Sequence, residues 1–251
     1  MQLNAWAWGD PAASPVVCVH GITAHGRRFR RLAEERLADG YRAVAVDLRG
    51  HGSSTWEPPW DLETHVADLL ETADAHGMTR AAWIGHGFGG RLVAEVVARE
   101  PGRVARAVLL DPAIRLDAQA AVDRAEAYLG DLSFASPEEA LAARLGTGRF
   151  LSTPPEAWDE EVAQHLERGG DGRYRWRFSQ LAVIAGYGEL TTPGAPVPLR
   201  DVLVVLGERS WLKVPLPRIA TIDVATVPGG HSVLWDDFDA TAAAVRAFLD
   251  A

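Results

Sequence analysis

Four short runs rich in small and β-branched apolar residues, at 16–19, 43–46, 82–84 and 107–110, alternate with longer segments at 27–38, 62–75 and 88–99. Compact apolar runs with no polar alternation are characteristic of strands buried on both faces, as in parallel sheets covered by helices. Within 62–75, Leu62, Val66, Leu69, Leu70 and Ala73 recur at helical spacing, while Glu63, Asp68, Glu71 and Asp74 fall on other faces. This order of strand and helix predicts an α/β fold with a mostly parallel central sheet and flanking helices.

The alternation stops after Asp111 and resumes at 202–206 and 222–227, followed by a last helix around 240–249. The stretch between reads as helical and contains no convincing buried strand. Ser136-Pro137-Glu138-Glu139 has the form of a capping box, and Pro154-Pro155-Glu156 opens a further helix carrying Trp158, Val162 and Leu166. Residues 191–198 are rich in proline and read as a connector back into the sheet. The expected organisation is an α/β core of residues 1–111 and 199–251, with a helical cap at 112–198.

Composition removes several function classes. With 251 residues the chain can bury one large core, and its formal net charge of -9 argues against a nucleic-acid or anionic-membrane partner. No apolar run approaches the ~20 residues needed to span a bilayer. The segment from Met1 to Trp6 lacks the basic start and apolar stretch of a signal peptide, so a cytoplasmic protein is expected. Cys18 is the only cysteine, which excludes an internal disulfide, and its place in an apolar run predicts a buried, inert thiol. The histidines show no zinc-ligand spacing, so no metal or other cofactor is expected.

Strand 82–84 runs into Gly85-His86-Gly87-Phe88-Gly89-Gly90 and then directly into a helix. A sharp strand-to-helix turn flanked by small residues is the setting of the nucleophile elbow, Gly-x-Ser-x-Gly, with Gly87 here in the serine position. Gly85, Gly87 and Gly90 also match the spacing of a dinucleotide-binding turn. That turn belongs near the first strand and needs an acidic residue after the next one. Three further motifs bear on the choice: His20-Gly21-Ile22 after the first apolar run, Asp47-Leu48-Arg49-Gly50-His51-Gly52-Ser53-Ser54 after the second, and Pro228-Gly229-Gly230-His231 after the last. In this order and strand context they resemble the α/β-hydrolase superfamily over essentially the full chain. In that superfamily's count, residues 16–19 are the third core strand and the cap is inserted between core strands 6 and 7.

The resemblance implies a set of roles. Ester hydrolysis needs a hydroxyl deprotonated by an imidazole, with a carboxylate to orient that imidazole. His231 fits the base and Gly87 stands at the nucleophile position. The acid commonly follows the seventh core strand, but there the chain reads Leu206-Gly207-Glu208-Arg209-Ser210 and offers serine. Asp111, after the sixth core strand, fills a recognised alternative place, with Glu208 as the other candidate. The backbone amides of Ile22 and Phe88 are the implied oxyanion hole. His20, His25 and His86 read as structural or pocket-lining.

Glycine cannot attack a carbonyl, so three readings stand. The chain is an active serine hydrolase with its nucleophile substituted, trapping substrate and inactive as written; or a natural binding protein or pseudo-enzyme on the same scaffold; or a non-covalent catalyst using His231 as a general base. The expected substrate is a small apolar carboxylic ester or lactone. Trp56, Trp60, Trp176 and Trp211 are the candidate substrate-binding residues, three of them being on strand-end loops.

Overall fold

A computed structural model describes residues 1–148, 150–197, 200–214, 216 and 222–251. In chain order the strands are β1 (Ala5–Trp8), β2 (Ser14–Val19), β3 (Tyr41–Val46), β4 (Ala81–His86), β5 (Val104–Leu110), β6 (Leu166–Arg168), β7 (Tyr174–Trp176), β8 (Val202–Gly207) and β9 (Ile222–Val227). The helices are α1 (Arg30–Leu32), α2 (Leu62–Ala75), α3 (Phe88–Arg99), α4 (Ala118–Glu126), α5 (Pro137–Leu145), α6 (Pro155–His165), α7 (Gln180–Glu189), α8 (Val233–Asp236) and α9 (Phe238–Asp250).

The main sheet has seven strands in the order β1-β3-β2-β4-β5-β8-β9. Strand β1 is antiparallel to β3, and all other neighbours are parallel. Successive side chains point to opposite faces of a strand, and each run divides its residues accordingly. Val17, Val19, Val44, Val46, Trp83 and Leu109 join α2 and α3 in one apolar cluster. Their neighbours Val16, Cys18, Ala43, Ala45, Ile84 and Val108 join Phe29, Leu32 and α9 in the other. Both faces are therefore dry, which is why the runs lack polar alternation. Each fully buried large aliphatic or aromatic side chain contributes about 1.5–3 kcal/mol.

The segment between β5 and β8 holds α4 to α7 as expected, together with a hairpin, β6 paired antiparallel with β7. That hairpin departs from the all-helical expectation. Its strands have three residues each and are half exposed, too short and too wet to leave a periodic signal. In the sheet's own order the insert follows the fifth strand and precedes the sixth. These are the sixth and seventh of the superfamily count, since among the described residues only β1 precedes β2 in the sheet. The expected boundary at 198–199 lies outside the described residues. Ser136 caps α5 through Glu139 N at 3.2 Å, while the Glu139 carboxylate accepts from Ala135 N at 2.6 Å, one residue further back than a capping box requires.

The helix expected at 27–38 is irregular: a tight turn at Gly26–Phe29, then α1, then a wide turn at Ala33–Leu37. Its start is pinned by Gly26, whose amide donates to Asp47 Oδ1 at 2.8 Å. Cys18 is fully buried, and burial pushes its thiol well above the ordinary range. Among the described residues no helix is long and apolar enough to cross a membrane.

Candidate active site

Strands β2, β4, β5, β8 and β9 run parallel, so the turns leaving them gather on one edge of the sheet. Carboxyl ends of parallel strands are where open α/β sheets bind ligands. Ile22 follows β2, Gly87 follows β4, Asp111 follows β5, Glu208 follows β8 and His231 follows β9.

Gly87 joins β4 to α3 with φ 54° and ψ -114°. An L side chain held at such angles carries about 1–3 kcal/mol of strain, which glycine escapes. The turn is fixed from both sides. The Gly87 amide donates to Leu110 O at 3.0 Å, and its carbonyl accepts from Gly90 N at 3.0 Å and Ala113 N at 2.9 Å. A β-carbon at Gly85 would strike the Gly89 carbonyl, and one at Gly89 would strike that of Val19. The backbones of β2, β4 and α3 approach too closely for side chains there. Position 87 keeps the geometry of a sharp elbow with nothing projecting from it.

His231 faces this elbow. Its Nδ1 donates to Asp111 Oδ2 at 2.7 Å, leaving Nε2 turned toward position 87. Asp111 is 1% exposed, at a φ of 42°. Its Oδ2 also accepts from Ser210 Oγ at 2.6 Å, and its Oδ1 from Gly207 N at 3.3 Å. Glu208 is exposed and its amide caps Val227 O at 3.0 Å, so of the two candidate carboxylates Asp111 is the one against the imidazole. The ring of His86 lies 4.7 Å from that of His231, and its Nε2 donates to His231 O at 2.9 Å. Burial, with His231 alongside, pushes His86 down to about 3, so it is neutral and structural.

The flanking loops are held by polar contacts that the motifs encode. His20 Nε2 accepts from Leu48 N at 2.9 Å, so its Nδ1 donates to Gly21 O at 2.8 Å. Asp47 ties Gly26 N, Ser53 N and Asn4 Nδ2 together, and Arg49 forms a buried two-point pair with Asp68. Among the described residues nothing accepts from the amides of Ile22 or Phe88. Asp236, which sequence reasoning did not single out, accepts from Gly230 N at 2.8 Å and from Thr153 Oγ1 at 2.7 Å, joining the His231 turn to the insert.

A small cavity of about 40 Å³ opens at His231, bordered by Ile22, Arg28, Phe88, Phe150, Tyr187 and Trp211. Of the four expected tryptophans, Trp211 alone borders it, with its ring 5.5 Å from that of His231. Trp56 and Trp176 border a separate cavity of about 750 Å³, lined apart from Trp56 by residues of the insert. Trp60 packs beside Gly50. Tyr128 borders the larger cavity and Tyr187 the smaller, with their rings 6.1 Å apart. Sequence position on a strand-end loop did not distinguish these placements, because a tryptophan's direction depends on the insert packed over it. Arg28 and Phe150 were missed as well; nothing in the sequence sets Arg28 apart from the arginines around it. Among the described residues no group of three or more His, Cys, Asp and Glu is placed to share a metal ion.

Residues 14–144 match the family model for the α/β-hydrolase fold. The chain belongs to the α/β-hydrolase family. Among curated relatives of this α/β hydrolase, lipase LipV of Mycobacterium tuberculosis is 34% identical over 76% of the chain and 72% of the relative. The 3-hydroxybutyrate-oligomer hydrolase of Cupriavidus necator is 34% identical over 66% of the chain and 58% of that protein. Among solved structures, E-2-(acetamidomethylene)succinate hydrolase superposes with a TM-score of 0.83, at 25% identity, covering 99% of the chain and 95% of its own.

Proposed function

We propose that this site is built for hydrolysis of an apolar carboxylic ester or lactone by a Ser-His-Asp mechanism, and that with Gly87 the chain binds such a substrate without forming an acyl-enzyme. The observation that carries this reading is the contact of His231 Nδ1 with Asp111 Oδ2 at 2.7 Å, with Nε2 directed at the elbow position. A hydroxyl at 87 would lose its proton to Nε2 while Asp111 stabilises the imidazolium. The amides of Ile22 and Phe88 would receive the oxyanion, each contributing ~3 kcal/mol in the transition state. These donors do not depend on a hydroxyl at 87, so binding survives without covalent chemistry. The lipase and hydrolase names of the relatives support an ester substrate. In this reading residues 112–198 act as a cap over the core of 1–111 and 199–251.

A second reading rests on the same pair. With no nucleophile at 87, His231 can draw a proton from water that attacks the substrate directly. Such turnover gives no burst of released alcohol and no covalent intermediate.

The test is to restore the hydroxyl. Gly87→Ser is expected to hydrolyse short aryl esters or lactones, and the parent chain to bind them with little or no turnover. Absence of activity in Gly87→Ser, with the fold intact, would overturn the covalent reading.

A further inference from the structure

Arg28 leaves the tight turn at Gly26–Phe29 and reaches the rim of the His231 cavity. Its side chain is only 10% exposed. The guanidinium pairs with Glu161 of α6, which is fully buried: Nε donates to Oε2 at 3.1 Å and Nη2 donates to Oε1. Glu161 is also held by His25 Nε2 at 2.9 Å and by Arg144 at 2.8 Å. A carboxylate has about four lone-pair sites. Arg28 gives two donors and His25 one, with the Arg144 cation beside them, so Glu161 is well occupied.

A guanidinium carries five N–H donors, two of them on Nη1. Among the described residues Nη1 of Arg28 has no acceptor, since Glu161 takes Nε and Nη2. The faces of the group are covered by apolar rings, with Arg28 Cζ 4.4 Å from the Trp235 centroid and 5.5 Å from that of Phe150. Arg28 borders the His231 cavity and also an open cleft shared with Arg30, Arg31 and Glu160, so its charge serves both sides of the ion pair. Ile22, Phe88, Leu190 and Trp211 give the rim of the His231 cavity an apolar part, and Arg28 is its one side chain of fixed positive charge.

We infer that Arg28 is a specificity-determining residue, and that the preferred ligand is an ester with an apolar body and a carboxylate that takes the unserved Nη1 donors. This rests on the hydrolase reading and narrows its substrate class. Charge-assisted bonds between arginine and carboxylate in a partly desolvated site support a preference of ~10-fold or more over a neutral isostere.

The test uses the present chain and two ligands, benzyl hydrogen succinate and its neutral counterpart benzyl methyl succinate, with binding measured by calorimetry. The expected result is tighter binding of the monoanion by ~10-fold or more, weakening as salt is raised. Arg28→Met is expected to abolish that difference, bringing the monoanion down to the affinity of the neutral diester, and Arg28→Lys to keep part of it. Equal affinity for the two ligands, no binding of either, or equal loss of both in Arg28→Met would overturn the inference. If Arg28→Met does not fold, a structure of the present chain with the monoester decides: carboxylate on Arg28 supports the assignment, and carboxylate elsewhere overturns it. The hydrolase reading is decided separately, by turnover of neutral esters in Gly87→Ser.

Discussion

Nε2 of His231 lies 3.0 Å from the point that a β-carbon at Gly87 would occupy. That separation is tighter than ordinary contact, so the imidazole has settled slightly into the space a nucleophile's side chain would claim. Gly87→Ser must move the ring outward by a few tenths of an ångström and accept the angles that glycine tolerates. The expected outcome is gained esterase activity with a stability cost of about 1–3 kcal/mol. Thermal unfolding of the two proteins side by side checks the second half of this statement.

The contact between His231 and Asp111 distinguishes the two carboxylates proposed for the triad. In the Gly87→Ser background, Asp111→Asn is expected to lower kcat by roughly 10⁴-fold, because an amide there favours the wrong imidazole tautomer. Glu208→Gln is expected to leave kcat unchanged. Steady-state kinetics on one aryl ester compares them, and the reverse pattern would exchange the assignment.

Ser210 occupies the place where many members of the family keep the acid, and its hydroxyl donates to the same Asp111 oxygen that receives His231. Removing that donor loosens the carboxylate without creating a large cavity. Ser210→Ala in the Gly87→Ser background is expected to reduce kcat by ~10-fold, the scale of one hydrogen bond to a charged group. Its melting temperature should change little.

Burial pulls the Glu161 carboxyl upward, but Arg28, Arg144 and His25 together outweigh it and hold the group well below the ordinary carboxylate range. Such a group adds stability above its unfolded pKa, and that stability is lost as the pH falls toward the folded value. Glu161→Gln leaves buried cations without their partner. It is expected to cost about 3–5 kcal/mol in a urea titration at neutral pH.

Several histidines act in the same direction on acidification. Burial pushes His51 and His65 down to about 4 and His86 to about 3. The unfolded chain takes up these protons near pH ~6.5, whereas the folded chain refuses them until its lower values are reached. Stability contributed by these neutral rings is therefore complete above pH ~6.5 and lost progressively below it. Urea midpoints measured between pH 7 and pH 4 should decline from the histidine range onward, before ordinary carboxylates titrate. A flat profile down to pH 5 would contradict this.

Legibility from sequence followed the physics of each feature. The runs at 16–19 and 107–110 were readable because a strand covered on both faces has no reason to alternate. Gly85 and Gly89 were readable because backbone approach excludes any β-carbon there. Asp111 and His231 could be ranked because both follow buried strands on one sheet edge. Arg28 could not, since its importance depends on its pairing with Glu161, 133 residues away. The directions of Trp56, Trp60 and Trp176 were equally hidden, being set by tertiary packing of the insert. The hairpin of β6 and β7 was too short to register.

Whether position 87 is a nucleophile site activated by His231 is decided by covalent labelling of Gly87→Ser with a fluorophosphonate probe, read by intact-protein and peptide mass spectrometry. One adduct is expected, located on residue 87, that forms neither in the parent chain nor when His231→Ala is added. An unlabelled, folded Gly87→Ser protein, or labelling that persists without His231, would contradict it.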